Sequence, residues 1–197
     1  MRHNAVRNRV GRFASAARLG PVLEKPGLLP STVDHPQYSD GRRPADVYLP
    51  MWEAGEPPAL DFAVASPQRQ DIVSESSEDG SAAVTRYQRV KRTHLDTEAA
   101  CKAQGVHFIP MIASPAGGWG SDARKVFQAL AQATAVLTGE PAARVAQRQR
   151  QSLCVLLRKA NARAVVARDA GEEGRDVAER TSALEVLAAT AIQGIAA

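Results

Sequence analysis

Two short apolar stretches, each holding one aspartate, limit what this chain can fold into more than any other feature. The first is Arg43-Pro44-Ala45-Asp46-Val47-Tyr48-Leu49 and the second is Ala59-Leu60-Asp61-Phe62-Ala63-Val64. A turn-rich gap from Pro50 to Pro58 separates them, so they read as neighbouring strands of one sheet. In the second stretch Leu60, Phe62 and Val64 fall on one face, while Ala59, Asp61, Ala63 and Ala65 share the other. A carboxylate flanked only by alanines has open space around it. Two carboxylates meeting at the centre of a small sheet are the groups that hold Mg²⁺ beside a phosphodiester.

A lysine completes the set. The segment from Ala82 to Gln104 reads as one helix stopped by Gly105, with Ala83, Val84, Tyr87, Val90, His94 and Cys101 on its buried face. Lys91 lies within that stripe, and Arg86, Arg89 and Arg92 lie off it. Lys91 is therefore the one basic side chain that this helix is expected to aim inward. A lysine so placed is costly to bury unless a carboxylate or phosphate pairs with it. Glu24, on a short strand at Val22-Leu23-Glu24, could add a third carboxylate. His3 faces inward on the first helix, where a hydrogen-bonded core histidine is the ordinary outcome.

The rest of the chain supplies the frame. Residues 2–19 read as a helix that places His3, Val6, Val10, Phe13 and Ala17 on one face, with Gly20-Pro21 as its stop. Residues 26–42 are a loop, and Gln68 to Ser81 reads as a polar, acidic, mobile loop. Val106 to Ile112 is a further strand, followed by a turn at Ala116-Gly117-Gly118-Trp119-Gly120. That turn lacks the Lys-Ser/Thr of a phosphate-binding loop, and Trp119 reads as a packing anchor. Ser121 or Asp122 can cap a helix to about Leu137, and Thr138-Gly139-Glu140-Pro141 breaks the pattern. A basic amphipathic helix or helix pair covers 141–168, and an acidic linker leads to an Ala-rich tail. The fold class expected is α/β, a small mixed sheet flanked by helices. The expected divisions are 1–139 for the core domain, 140–169 for a helical extension, and 170–197 for linker and tail helix.

Composition narrows the function classes. Hydrophobic residues make up 44% of the 197, enough for a core, but aromatics only 5%, so Ala, Val and Leu do most of the packing. The formal charge of +4, carried by 20 arginines against 5 lysines, fits a nucleic-acid partner without requiring one. Cys101 and Cys154 stand in no CxxC or Cys-His spacing, so neither a zinc site nor a disulfide framework follows. A reducing, intracellular or nuclear setting is expected. Apolar runs fall short of a membrane span, and arginines interrupt the N-terminus where a secretory signal would be apolar.

These residues carry a resemblance. The chain resembles the restriction-enzyme-like endonuclease at the C-terminal end of site-specific non-LTR retrotransposon polyproteins, within the PD-(D/E)XK nuclease superfamily. The matching elements are Arg2-His3-Asn4 opening a helix, Glu24 before a proline turn, and Arg43-Pro44-Ala45-Asp46. Fourteen residues separate Asp46 from the Asp61 of Leu60-Asp61-Phe62-Ala63-Val64, and Lys91 follows on the next helix. The likeness covers about residues 2–138. In that family the lysine has left its usual place two residues after the second acid, which here is Ala63, for the following helix.

By this resemblance the fold is restriction-endonuclease-like. Asp46 and Asp61 would coordinate Mg²⁺ or Mn²⁺, with a main-chain carbonyl near Phe62. Lys91 would position the attacking water and stabilise the phosphoryl oxygens, Glu24 would join the catalytic set, and Arg2 and Arg43 would contact the phosphates of DNA. The implied activity is metal-dependent nicking of DNA. The alternative is a catalytically inactive, nucleic-acid-binding remnant of such an element. Two departures stand out. Of the tyrosine or histidine common soon after the family's lysine, only His94 is present. No reverse transcriptase and no upstream Cys/His knuckle accompany the motif, which suits a fragment, a decayed copy or a captured gene.

Overall fold

A computed structural model describes residues 2–29, 43–52 and 55–166. In chain order the elements are α1 (Arg2–Ala16), β1 (Val22–Leu23), β2 (Val47–Tyr48), β3 (Pro58–Val64), α2 (Val73–Glu78), α3 (Ala82–Thr93), α4 (Thr97–Ala103), β4 (His107–Ala113) and α5 (Ser121–Thr138). A last helix, α6, spans 142 to 166. This is a mixed α/β fold. Its four-stranded sheet runs β1-β2-β3-β4, with the first two pairings antiparallel and β3–β4 parallel.

The parallel pair is the sheet's backbone. Its register sets Asp61 opposite Pro110 and Phe62 opposite Met111 over seven residues. A parallel connection needs a crossover of a dozen residues or more, and α2, α3 and α4 supply it. Alternation along β3 then divides the molecule. Leu60 and Phe62 turn to the main core, where they meet Val6 and Val10 of α1, Phe127 and Leu130 of α5, and Leu153 and Leu157 of α6. Ala59 turns the other way to Tyr48, Cys101 and Phe108, and Ala63 and Ala65 pack with Ile72, Ala83 and Val84. Each large side chain so buried stabilises the fold by about 1.5–3 kcal/mol, which places most of the stability on the Leu60–Phe62 side.

Pro110 fits β4 because β4 is an edge strand. Ala65 donates to the Ala113 carbonyl on the β3 side, and Gly120 donates to the Ile112 carbonyl on the outer side. By alternation the nitrogen of Pro110 faces outward, where no ladder bond is lost.

Several expectations need correction. The segment expected as one helix from Ala82 to Gln104 is two helices, because Leu95 and Asp96 both take left-handed backbone angles (φ 52° and 49°). Gly120, not Ser121 or Asp122, stands at the start of α5, and those two residues lie within its first turn. The acidic stretch expected as a loop contains α2, anchored by buried Ile72. The first helix stops at Ala16 rather than residue 19, and β2 keeps only two residues of its expected seven.

The segment expected as an extension, 140–169, is helical from 142 to 166, and through Arg158 it belongs to the same compact unit as the residues before it. Val145, Leu153 and Leu157 are buried there. In the second unit, the described residues 159–166 are helical. The expected tail, 170–197, lies outside the described residues.

Candidate active site

The site forms where β2 gives out. The Asp46 amide donates to the Leu60 carbonyl at 2.9 Å, and the Asp46 carbonyl accepts from Glu24 at 3.0 Å, so its main chain is held from both neighbouring strands. Beyond that point the side chain replaces the backbone. Oδ2 of Asp46 accepts the Phe62 main-chain N–H at 2.7 Å, and it lies 2.8 Å from Nε2 of His3. Nδ1 of His3 lies 3.1 Å from Oδ1 of Asn4. A carboxylate pinned by an amide and an imidazole is held in one orientation.

Asp61 stands at the middle of β3 on the face of the small alanines. Nζ of Lys91 lies 2.8 Å from its Oδ2, and both side chains are largely but not wholly buried. Burial pushes the Asp61 carboxyl above its ordinary value. The Lys91 ammonium opposes that rise, the nearby Asp46 charge adds to it, and His3 opposes it more weakly. The balance is informative: a direct ion pair would ordinarily lower an aspartate, and here desolvation outweighs it. A small cleft of about 160 Å³ opens beside the pair, lined by Arg43, Pro44, Asp61, Lys91, His94 and Phe108 among others.

Four of the expected residues therefore come together: Asp46, Asp61, Lys91 and Arg43. Glu24 adjoins them through its backbone only, since its half-exposed carboxylate pairs with Arg7 and its φ is left-handed at 47°. The backbone of Arg2 opens α1, and its side chain lies outside the described residues.

Two features escaped the sequence reading. His3, expected as a hydrogen-bonded core histidine, does form a hydrogen bond, but its side chain is 39% exposed and its partner is Asp46. Lys91 is not the only inward base of α3. Arg92 places Nη2 at 2.6 Å from Asp122 and Nε at 2.9 Å from Glu98. Gln88 is buried beside it, and its Nε2 lies 3.4 Å from the same Asp122 oxygen. Val90 and His94, expected to be buried, are exposed. The buried stripe of α3 is thus rotated toward Gln88 and Arg92, a polar docking that no apolar periodicity could signal. The Arg2-His3-Asn4 run was the available signal for His3.

The donor set suits a hard divalent cation. The Asp46 charge adds to the proton affinity of Asp61, and a cation between the two carboxylates would relieve that repulsion. The C=O of Phe62 leaves β3 on the same edge as the N–H that Asp46 accepts. Among the described residues no cluster of three or more His, Cys, Asp or Glu stands ready for a metal. The protein would thus contribute two carboxylates and a carbonyl, with water filling the remaining positions, as Mg²⁺ commonly allows. Compared with known proteins, the chain matches no family model, no curated protein and no solved structure.

Proposed function

We propose that the chain is a metal-dependent DNA endonuclease domain of retrotransposon origin, restriction-endonuclease-like in fold, that nicks DNA by hydrolysing a phosphodiester. The observation that carries this reading is the 2.8 Å pairing of Lys91 with Asp61 beside the pinned carboxylate of Asp46. The β2-β3-β4 arrangement, with one acid immediately before β2, the other on β3 and the lysine on a crossover helix, supports it further.

The residues divide the work. Asp46 and Asp61 would hold Mg²⁺ or Mn²⁺, which when bound neutralises phosphate charge and acidifies water. His3 and the Phe62 amide keep Asp46 in one orientation. Lys91 balances the charge of Asp61 in the free protein and presents its ammonium to the attacking water and the phosphoryl oxygens in the complex. Arg43, at the mouth of the cleft, offers a guanidinium to an adjoining phosphate of the strand.

The test is relaxation of supercoiled plasmid with Mg²⁺ or Mn²⁺. Asp61→Asn and Lys91→Ala should each lower the nicking rate by at least about a hundredfold while keeping a cooperative unfolding transition. Cutting that survives both substitutions sinks the proposal. One observation favours the second reading, an inactive nucleic-acid-binding remnant: the Oδ2 atoms of both aspartates are already paired with cationic or protonatable side chains. Salt-dependent DNA binding by a folded protein that leaves plasmid intact would select that reading.

A further inference from the structure

On the opposite face of the sheet from Asp61, a groove of about 650 Å³ runs between α5 and α6. Its size has a simple cause. Ala131 on α5 and Ala142, Ala143 and Ala146 on α6 face it, and methyl groups cannot fill the space between two helices. At one end stands Trp119, half-buried, its ring edge-on to Phe127 with centroids 4.8 Å apart at 90°. Phe127 thus fixes the indole without covering it.

The polar groups along the groove are guanidinium groups and side-chain amides. Arg124, Gln128 and Gln132 rise from α5 and Arg150 from α6, all exposed, and among the described residues no Asp or Glu lines the groove. Among the described residues neither arginine pairs with a carboxylate. Two guanidinium groups thus flank an aromatic ring and hydrogen-bonding side-chain amides, over an apolar floor. Phosphates suit the guanidinium groups, a nucleobase face suits the indole and the alanine floor, and base edges suit the amides. A duplex presents none of its base faces, whereas a single strand presents them all.

We propose that this groove binds single-stranded nucleic acid, with a base stacked on Trp119 and flanking phosphates held by Arg124 and Arg150. This site is separate from the Asp46–Asp61 cleft and does not depend on phosphodiester cleavage.

The experiment uses the full chain carrying Asp61→Asn, in EDTA, so that failure of the nuclease reading leaves it untouched. Trp52→Phe makes Trp119 the sole indole, and the probe is a short oligothymidylate. Titration should quench Trp119 fluorescence, and matching duplex should compete poorly. Ala146→Leu fills the groove without changing charge and should weaken binding about tenfold and abolish the quench. Replacing both arginines by Gln should reduce the slope of log affinity against log salt by about 1.4. Trp119→Phe, which keeps an aromatic ring, should retain most of the affinity and show that lost binding in other variants is not lost folding. An unquenched Trp119, or unchanged binding by a folded Ala146→Leu protein, would overturn the proposal. Equal competition by polyglutamate would overturn it too, and would reassign the groove to an acidic protein segment.

Discussion

The main-chain amide of Phe62 donates to Oδ2 of Asp46 at 2.7 Å, where a regular ladder would offer a backbone carbonyl. A side chain has taken a backbone's place, and it does so one residue beyond Asp61. The same bond therefore ends β2, orients the first carboxylate and joins it to the strand that carries the second.

Removing that acceptor should be costly. Hydrogen bonds to charged groups contribute about 1.5–3 kcal/mol, and Asp46→Ala strands both the Phe62 amide and the His3 imidazole. A loss of about 2–3 kcal/mol in urea unfolding is expected, against about 1 kcal/mol for Asp46→Asn, which keeps one acceptor oxygen. Equal losses in the two variants would mean that the Phe62 amide finds another partner.

Stability should depend on pH through Asp61. Burial raises its folded pKa above the ordinary 3.8, so the folded chain binds this proton more tightly than the unfolded one. The contribution is complete below that ordinary value and is lost as pH rises through the higher folded value. Asp61→Asn abolishes the term. Its Tm relative to the parent protein should therefore climb across that window, measured by thermal unfolding at successive pH values. Lys91→Met should exaggerate the parent's loss, because the ammonium opposes the rise.

On the proposed reading cation binding should run the other way with pH, since a metal held by Asp61 would compete with the proton there. Calorimetry with Mn²⁺ should show affinity increasing as pH rises through the folded pKa of Asp61. His3→Ala, which releases the partner of Asp46, should weaken that affinity about tenfold. Unchanged affinity in His3→Ala would separate the histidine from the metal's ligand.

The docking of α3 should depend on the absence of a side chain at Gly120. A Cβ there would stand 2.6 Å from Nε2 and 2.8 Å from Cδ of buried Gln88. Gly120→Ala should displace the Gln88 amide from Asp122 and cost about 1–3 kcal/mol, read by denaturant unfolding. Pairing it with Gln88→Ala should recover most of that loss.

Legibility in the sequence followed the range of the interactions. The parity of Leu60, Asp61 and Phe62 was plain because alternation is local and one face is apolar. Lys91 was placed correctly for a related reason, lying four residues after half-buried Tyr87. The bond between His3 and Asp46 spans 43 positions, and no local pattern encodes it. The break at Leu95-Asp96 was hidden because neither residue is the glycine that a left-handed angle usually calls for. Arg92 was set off the buried face because that face was phased on apolar residues. Its partners Glu98 and Asp122 lie on two other helices, and only the fold brings them within reach.

Pro110 also bears on how this domain can assemble. The sheet has two open sides: one is a strand of only two residues, and the other is a longer strand whose outward row of donors is interrupted by an imino acid. Among the described residues neither side offers a long unbroken run of backbone donors and acceptors for a foreign strand to pair with.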